Sequence, residues 1–317
     1  MRLRLFAFLA ALSLTALAQQ YPAKPVRIVV PSSPGGASDL VTRIVTTALG
    51  ERLGQSFVVE NRVTSGGIIG TQQVAESAPD GYTLLGTFDT FAINPYLFKG
   101  LKWDPVRDFA PLMQICRYPQ VLLVHPSLGV KTVKEFVALA KEKGASLNYG
   151  SAGPASSSRL AYELFKDTAG IETVPVHYKG GGPAIQDLLS GQVQVMLIQG
   201  GGAIPQYVKT GKLVALAVSS LDRSKFYPEL PTIAETYPGF ESESWVGMFA
   251  PAGTPRALLE RLHGELDKVV ADPAMKEKLE AQGCDVVGGP AGTLAARVKS
   301  DQAKWSRIIR EKNITIQ

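Results

Sequence analysis

Three glycine- and serine-rich turns hold the residues of this 317-residue chain whose types and spacing are best suited to chemistry. The first is Pro31-Ser32-Ser33-Pro34-Gly35-Gly36-Ala37-Ser38-Asp39, and the second runs from Tyr149 through Gly150, Ser151, Ala152, Gly153, Pro154, Ala155 and Ser156 to Ser157 and Ser158. The third is Tyr178-Lys179-Gly180-Gly181-Gly182-Pro183. Each follows a predicted strand and opens a predicted helix. Glycine lets a backbone approach a ligand closely, serine hydroxyls add donors, and the first turn of the following helix points free N–H groups at the same spot. A carboxylate or a phosphate can be held there without a cationic side chain. Taken singly, such a turn is more often a plain cap; three of them in one α/β chain favour an anion site.

Hydrolytic, metal and nucleotide chemistry find less support. Tyr149-Gly150-Ser151-Ala152-Gly153 resembles a nucleophile elbow, but Tyr149 stands where G-x-S-x-G needs its first glycine. Of the histidines His125, His177 and His263, only His177, at a strand end, could serve a triad, and a hydrogen-bonded strand-end histidine is the simpler reading. No H-E-x-x-H, C-x-x-C, G-x-G-x-x-G or G-K-[ST] occurs, so no catalytic residue, metal or cofactor is expected. The charge balance, 33 basic against 28 acidic residues or +5, contains no basic block and gives no footprint for nucleic acid.

Stepping from the turns to the elements that carry them, β-branched runs alternate with amphipathic stretches, the pattern of a parallel sheet with crossover helices. Strands are expected at Val26–Pro31, Ser56–Glu60, Tyr82–Gly86, Val121–Val124, Leu147–Tyr149, Val174–His177, Val193–Ile198, Val214–Val218 and Trp245–Ala250. Helices are expected at Thr42–Leu53, Val133–Lys143, Ser157–Ala169, Pro255–Ala271 and Ala291–Lys312, the last with Leu294, Val298, Trp305 and Ile309 inward. Arg2 and Arg4 before the apolar run Leu5–Leu17, with small residues at Ala16 and Ala18, read as a secretory signal over residues 1–18. Cys116 and Cys284 could pair in an oxidising compartment; their apolar neighbours favour two separate buried thiols.

Two extended segments, Met113–Val124 and Glu241–Ala250, are flanked by prolines and can cross between domains. That gives one domain from residues 19–120 and 246–317, a second from 121–245, and a cleft between them with a hinge of two crossovers. Asp39 could meet a ligand amine, though an acid in a first helical turn is favoured by the dipole anyway. Thr87 and Phe88 end a strand toward the same crevice, as lip residues or as loop packing. Trp245 is either an apolar cleft wall or, more in keeping with its type, core or hinge packing.

The motifs in their order resemble the periplasmic solute-binding proteins of tripartite tricarboxylate transporters, the Bug family. The resemblance rests on Pro31–Asp39, Asn61-Arg62 with Gly66-Gly67, Pro79-Asp80-Gly81-Tyr82-Thr83-Leu84, Asn94-Pro95 and Asp108-Phe109. It continues through Asn148-Tyr149-Gly150-Ser151, Tyr178-Lys179-Gly180 and Phe249–Pro255. It implies a two-domain periplasmic-binding-protein fold of the α/β class, a periplasmic monomer that closes on a small carboxylate and delivers it to membrane subunits. It also points to Ser33, Gly35, Gly36, Ser151, Gly153, Ser156 and Ser157 as ligand contacts, through amides and ordered waters. Three positions depart from the resemblance: Ala155 where glycine is expected, Arg159 where histidine is, and Gln199 where aspartate often is. Arg159, in a first helical turn, needs either Glu163 or solvent, or a second ligand carboxylate, to offset the dipole. A secreted serine hydrolase and a ligand-sensing component are the alternatives.

Overall fold

A computed structural model describes residues 21–316 except Thr64. The expected signal over residues 1–18 lies outside the described residues. Strands β1 (Val26–Val30), β2 (Phe57–Asn61) and β3 (Thr83–Phe88) are parallel, with β1 central. Helix α1 (Ala37–Leu53) crosses between β1 and β2, burying Val41, Val45 and Leu49, one turn apart, against the sheet. It ends at Gly54 in the left-handed conformation, φ 66°. Helices α2 (Ile68–Ala75) and α3 (Thr90–Leu97) flank β3.

The centre of the fold is β4 (Phe109–Val124), sixteen residues long. From Phe109 to Pro119 it pairs antiparallel with β9, and from Gln120 to Val124 with β7 and β8. One strand therefore belongs to two sheets. Beyond it lie α4 (Val133–Lys143), β5 (Asn148–Ser151), α5 (Ser157–Ala169), β6 (Val174–His177), α6 (Gly181–Ser190), β7 (Val195–Gln199), α7 (Ile204–Lys209) and β8 (Val214–Val218). Thr132 and Glu135 close a capping box on α4, which starts at the expected residue. The chain returns through β9 (Glu243–Pro251), then adds α8 (Arg256–Ala271), α9 (Pro273–Glu280), β10 (Asp285–Val286) and α10 (Ala291–Glu311). The strand order is β2-β1-β3-β9-β4-β7-β5-β6, with β8 and β10 also on β4.

The expected parallel sheet with crossover helices holds for the outer strands and is corrected at the centre, where β4 and β9 are antiparallel to each other and to their other neighbours. Strands that run between two sheets and back must be antiparallel, and alternating apolar runs do not encode that direction. The two-thiol reading is also corrected. Cys116 and Cys284 form a disulfide with Cα atoms 5.7 Å apart. The cause is β10, whose Val286 pairs with Cys116 and so places Cys284 beside it.

Separate apolar cores follow the two sheets. Ile28, Val41, Val45, Leu84, Met248 and Leu266 fill one, and Leu122, Phe136, Tyr162, Phe165 and Leu197 another. A further cluster joins them: Ile93 and Leu97 of α3 and Trp305, Ile308 and Ile309 of α10 pack on Ala155 and Leu160. The inward residues expected of α10, Leu294, Val298, Trp305 and Ile309, are all buried.

Candidate ligand-binding site

The turn between β1 and α1 is held from beneath by Asp39. Its carboxylate, 2% exposed, accepts from the Gly35 N–H at 2.9 Å, from Asn61 Nδ2 at 2.8 Å and from Arg43 Nε at 3.0 Å. Asn61 Nδ2 also donates to the Ser32 carbonyl at 3.0 Å, so the end of β2 fixes the turn. Burial pushes the Asp39 carboxyl up, but Arg43, Gly35 and Asn61 outweigh it and hold it below its ordinary value. Asp39 is thus a brace for the loop, the structural alternative of the sequence reading. The Gly35 N–H and the Gly36 N–H, which donates to the Ser33 carbonyl at 3.2 Å, are spent inside the turn. The expectation that these two amides face a ligand is corrected accordingly. Open donors remain one step further on: α1 has no side-chain cap, and the first N–H groups of a helix, here Ala37 to Asp39, lack helical acceptors. Gly35 at φ +78° supplies the left-handed residue that the turn requires, and Ser33 is exposed beside it.

The turn between β5 and α5 is wired in a similar way. Ser156 caps α5, accepting from Arg159 N at 3.3 Å and donating to the Gly153 carbonyl at 2.7 Å. Ser158 Oγ accepts from Ala152 N at 2.9 Å. Gly153, at φ +145°, lies where a Cβ would stand 3.3 Å from the Tyr178 carbonyl, so the second and third turns touch there. Ser151 is fully buried, its Oγ paired with His177 Nδ1 at 2.7 Å. Ser157 keeps its hydroxyl out of the cap.

Arg159 is not paired with Glu163, and its Nε is buried with no hydrogen-bond partner among the described residues. Its Nη1 donates to the Pro154 carbonyl at 2.8 Å and to the Thr315 carbonyl at 3.0 Å, while Glu163 bonds the Tyr149 hydroxyl and pairs with Lys166. The guanidinium thereby ties the turn to the C-terminal tail.

Between the turns, β3 ends at Thr87, buried, and Phe88, half-buried, followed by Asp89 at the start of α3. Asp89 is 2% exposed; neither carboxylate oxygen has a donor at full hydrogen-bond distance among the described residues, and the Ser244 and Ser157 hydroxyls face it. Burial and Asp301 push its carboxyl up, against Ser244, Ser157 and Arg297, to about 6. Ser157 belongs to α5, so the ends of β3 and β5 face each other across the two sheets. Gln199, at the end of β7, donates through Nε2 to Ser244 Oγ of β9 at 2.6 Å. Trp245 is no cleft wall: it is fully buried and its Nε1 donates to Asp301 of α10 at 2.6 Å. Arg297 extends that link, bonding Asp301 Oδ2 at 3.2 Å and the Glu243 carbonyl at 2.9 Å.

The sequence pattern singles out the turns and Gln199 but gives no sign of Asn61 as a brace, of Ser244, and above all of Asp89. The one available signal for Asp89 was an acid directly after a strand, which reads as an ordinary helix cap; here the carboxylate caps nothing. Among the described residues no group of His, Cys, Asp and Glu is arranged to hold a metal, and no helix is long and apolar enough to cross a membrane.

Residues 41–314 match the family described as tripartite tricarboxylate transporter family receptor, TctC. The chain belongs to that family. The receptor is 37% identical over 293 residues to the UPF0065 protein in the tcbD-tcbE intergenic region of a Pseudomonas species, covering 92% of this chain and 87% of the relative. It is 32% identical to Protein BugT of Bordetella pertussis, covering 97% and 95%. The solved structure of R. palustris Rpa4515 with adipate superposes with a TM-score of 0.86 at 31% identity, over 93% of this chain and all of that one. MatC from Rhodopseudomonas palustris with bound malate gives 0.81 at 30%, over 91% and all. The periplasmic-binding-protein fold and the solute-binding role of the family stand, and the hydrolase alternative does not. The Ser151–His177 pair fits that outcome: the serine is sealed from solvent, its hydroxyl bound through Nδ1 of a histidine whose proton affinity is lowered by burial and by Arg159 against Glu163.

Proposed function

We propose that the receptor captures a small carboxylate between its two sheets in the periplasm and presents it, closed, to the membrane subunits of a tripartite transporter. The observation that carries this reading is the approach of the two sheets at their strand ends: α3, which Asp89 precedes, packs through Ile93 and Leu97 on Ala155 and Leu160, with the Ser157 hydroxyl facing the Asp89 carboxylate. The ligand carboxylate sits on the open N–H groups at the starts of α1 and α5, where two helix dipoles favour an anion. Relatives solved with adipate and malate support the same class of solute. Ser33, Gly35, Gly36, Ser151, Gly153 and Ser156 shape those turns, and Thr87, Phe88, Ser157 and Gln199 line the approach between them.

The halves 19–120 with 246–317 and 121–245 act as the two domains. Their hinge is where β4 changes partners at Pro119 and Gln120 and where the chain returns through Ser242 and Glu243. A ligand touching both turns favours closure because the open form lacks one set of contacts.

Native mass spectrometry of protein purified without refolding should show a small acid retained on the chain. Gly36→Val tests the first turn directly: its Cβ would stand 3.3 Å from the Ser33 carbonyl, a tight contact that requires the turn to shift by a few tenths of an ångström, while the branched side chain covers the start of α1. A folded variant that binds at least tenfold more weakly fits the reading; one that binds unchanged shows the turn to be a cap only.

A further inference from the structure

We propose that Asp89 and Gln120, with the Gln199–Ser244 pair, form an acceptor subsite for a hydroxyl or ammonium group on the bound acid. The inference rests on the carboxylate reading and narrows it to hydroxy or amino acids.

Four elements bring these groups together. Asp89 follows β3, Gln120 lies on β4 at the change of partners, Gln199 ends β7 as the register partner of Gln120, and Ser244 belongs to β9. Gln120 is 1% exposed, its backbone N–H donates to Ser219 Oγ at 2.8 Å, and neither atom of its side-chain amide has a partner among the described residues. Both Asp89 oxygens likewise lack a donor at hydrogen-bond distance, with the Ser244 and Ser157 hydroxyls facing them. Buried polar atoms are ordinarily paired, and a carboxylate and an amide left without close partners on either side of the Gln199–Ser244 pair are costly unless something else satisfies them.

The inventory of free groups defines what that something is. Asp89, when ionised, offers acceptors only, and Gln120 offers one acceptor and two donors. Gln199 already occupies an acceptor position on Ser244 Oγ, so the Ser244 proton is free to turn toward Asp89. The charged groups facing Asp89 are Asp301 and Arg297 of α10. Arg297 is committed to Asp301 and to the Glu243 carbonyl, with Glu241 and Glu243 also within 4 Å, and so does not neutralise Asp89. A second ionised carboxylate of a ligand would be repelled here. A hydroxyl fits, donating to Asp89 and accepting from Gln120; an ammonium fits, donating to both.

Titration calorimetry at pH 7.5 tests this with straight-chain acids of three to eight carbons and benzoate, each as parent, hydroxy and amino derivative. The proteins are wild type, Asp89→Asn and Gln120→Met, with circular dichroism confirming the fold of each variant. In wild type the derivative should bind at least tenfold more tightly than its parent. Asp89→Asn should reduce that advantage below threefold, and Gln120→Met should reduce it in the same direction. A parent that binds wild type as well as its derivative, or an advantage that survives in either folded variant, overturns the subsite and leaves the carboxylate reading standing. Binding of no acid at all to wild type overturns both.

Discussion

Arg159 Nη1 and the carbonyl of Thr315 lie 3.0 Å apart, joining the second sheet's α5 to the tail that leaves the first sheet's α10. Lys312 and Asp167 pair along the same line, and the cluster of Ile93, Trp305, Ala155 and Leu160 packs beneath. The C-terminal helix therefore braces both halves as well as closing the first.

Arg159→Ala should consequently act on stability rather than on ligand affinity. Losing two charge-assisted bonds to carbonyls, one of them partly exposed, costs about 1–3 kcal/mol, read as a lower urea midpoint. Affinity for the identified acid should stay within threefold. A variant of wild-type stability with tenfold weaker binding would return Arg159 to the role of ligand clamp.

Asp39→Ala should destabilise the receptor by about 1–3 kcal/mol, because Gly35 N–H and Asn61 Nδ2 lose their buried acceptor. The native carboxyl titrates below its unfolded value, so its contribution is present above the ordinary carboxylate range, about pH 4. It is lost as pH falls through the lower native value. The gap between wild type and variant in denaturant unfolding should be full at pH 7 and should shrink below pH 4. A gap that is constant with pH would mean that Asp39 acts through packing alone.

Asp89 has the opposite sign. Its native carboxyl is pushed up to about 6, above the unfolded value, so the folded state holds a proton that the unfolded state has released. Ionising it destabilises the fold as pH rises between about 4 and 6. Asp301 and Arg297 are the charged groups that share its surroundings and remain in the variant. Asp89→Asn should therefore melt higher than wild type at pH 7.5 and match it at about pH 3.5, below the unfolded value. Equal melting temperatures at both pH values would show that the carboxylate is satisfied in the folded protein.

Most of the α/β frame was legible because long runs carry their own periodicity: α4 and α5 begin and end at the expected residues, and α10 buries the expected face. Three short elements were not legible. Helix α3 contains Pro95, α9 opens on Pro273, and β10 has two residues, so none shows a full period. Missing β10 is what hid the disulfide. In the site, glycine and serine spacing marked the turns, but which amides are spent depends on Asp39 and Asn61, twenty-two residues apart and joined only by the sheet.

That disulfide closes a loop of 168 residues containing the whole of the second sheet. On the chain-entropy view, removing it by Cys116→Ala and Cys284→Ala should cost up to about 5 kcal/mol. Both cysteines are fully buried, so mild reductant should leave the folded protein intact and lower stability only once it unfolds. Identical denaturant midpoints for the double variant and wild type would remove the bond from any part in stability.

The central claim is that a small carboxylate closes the two halves on each other, and a thermal-shift screen confirmed by calorimetry measures it most directly. A ligand at a hundredfold its dissociation constant adds about 2.7 kcal/mol to the folded state, a rise of several degrees. The account predicts such a rise with at least one small carboxylate, none with sugars or cationic amines, and a more compact scattering profile in the bound form. Stabilisation by neutral or cationic solutes alone, or binding with no compaction, would contradict it.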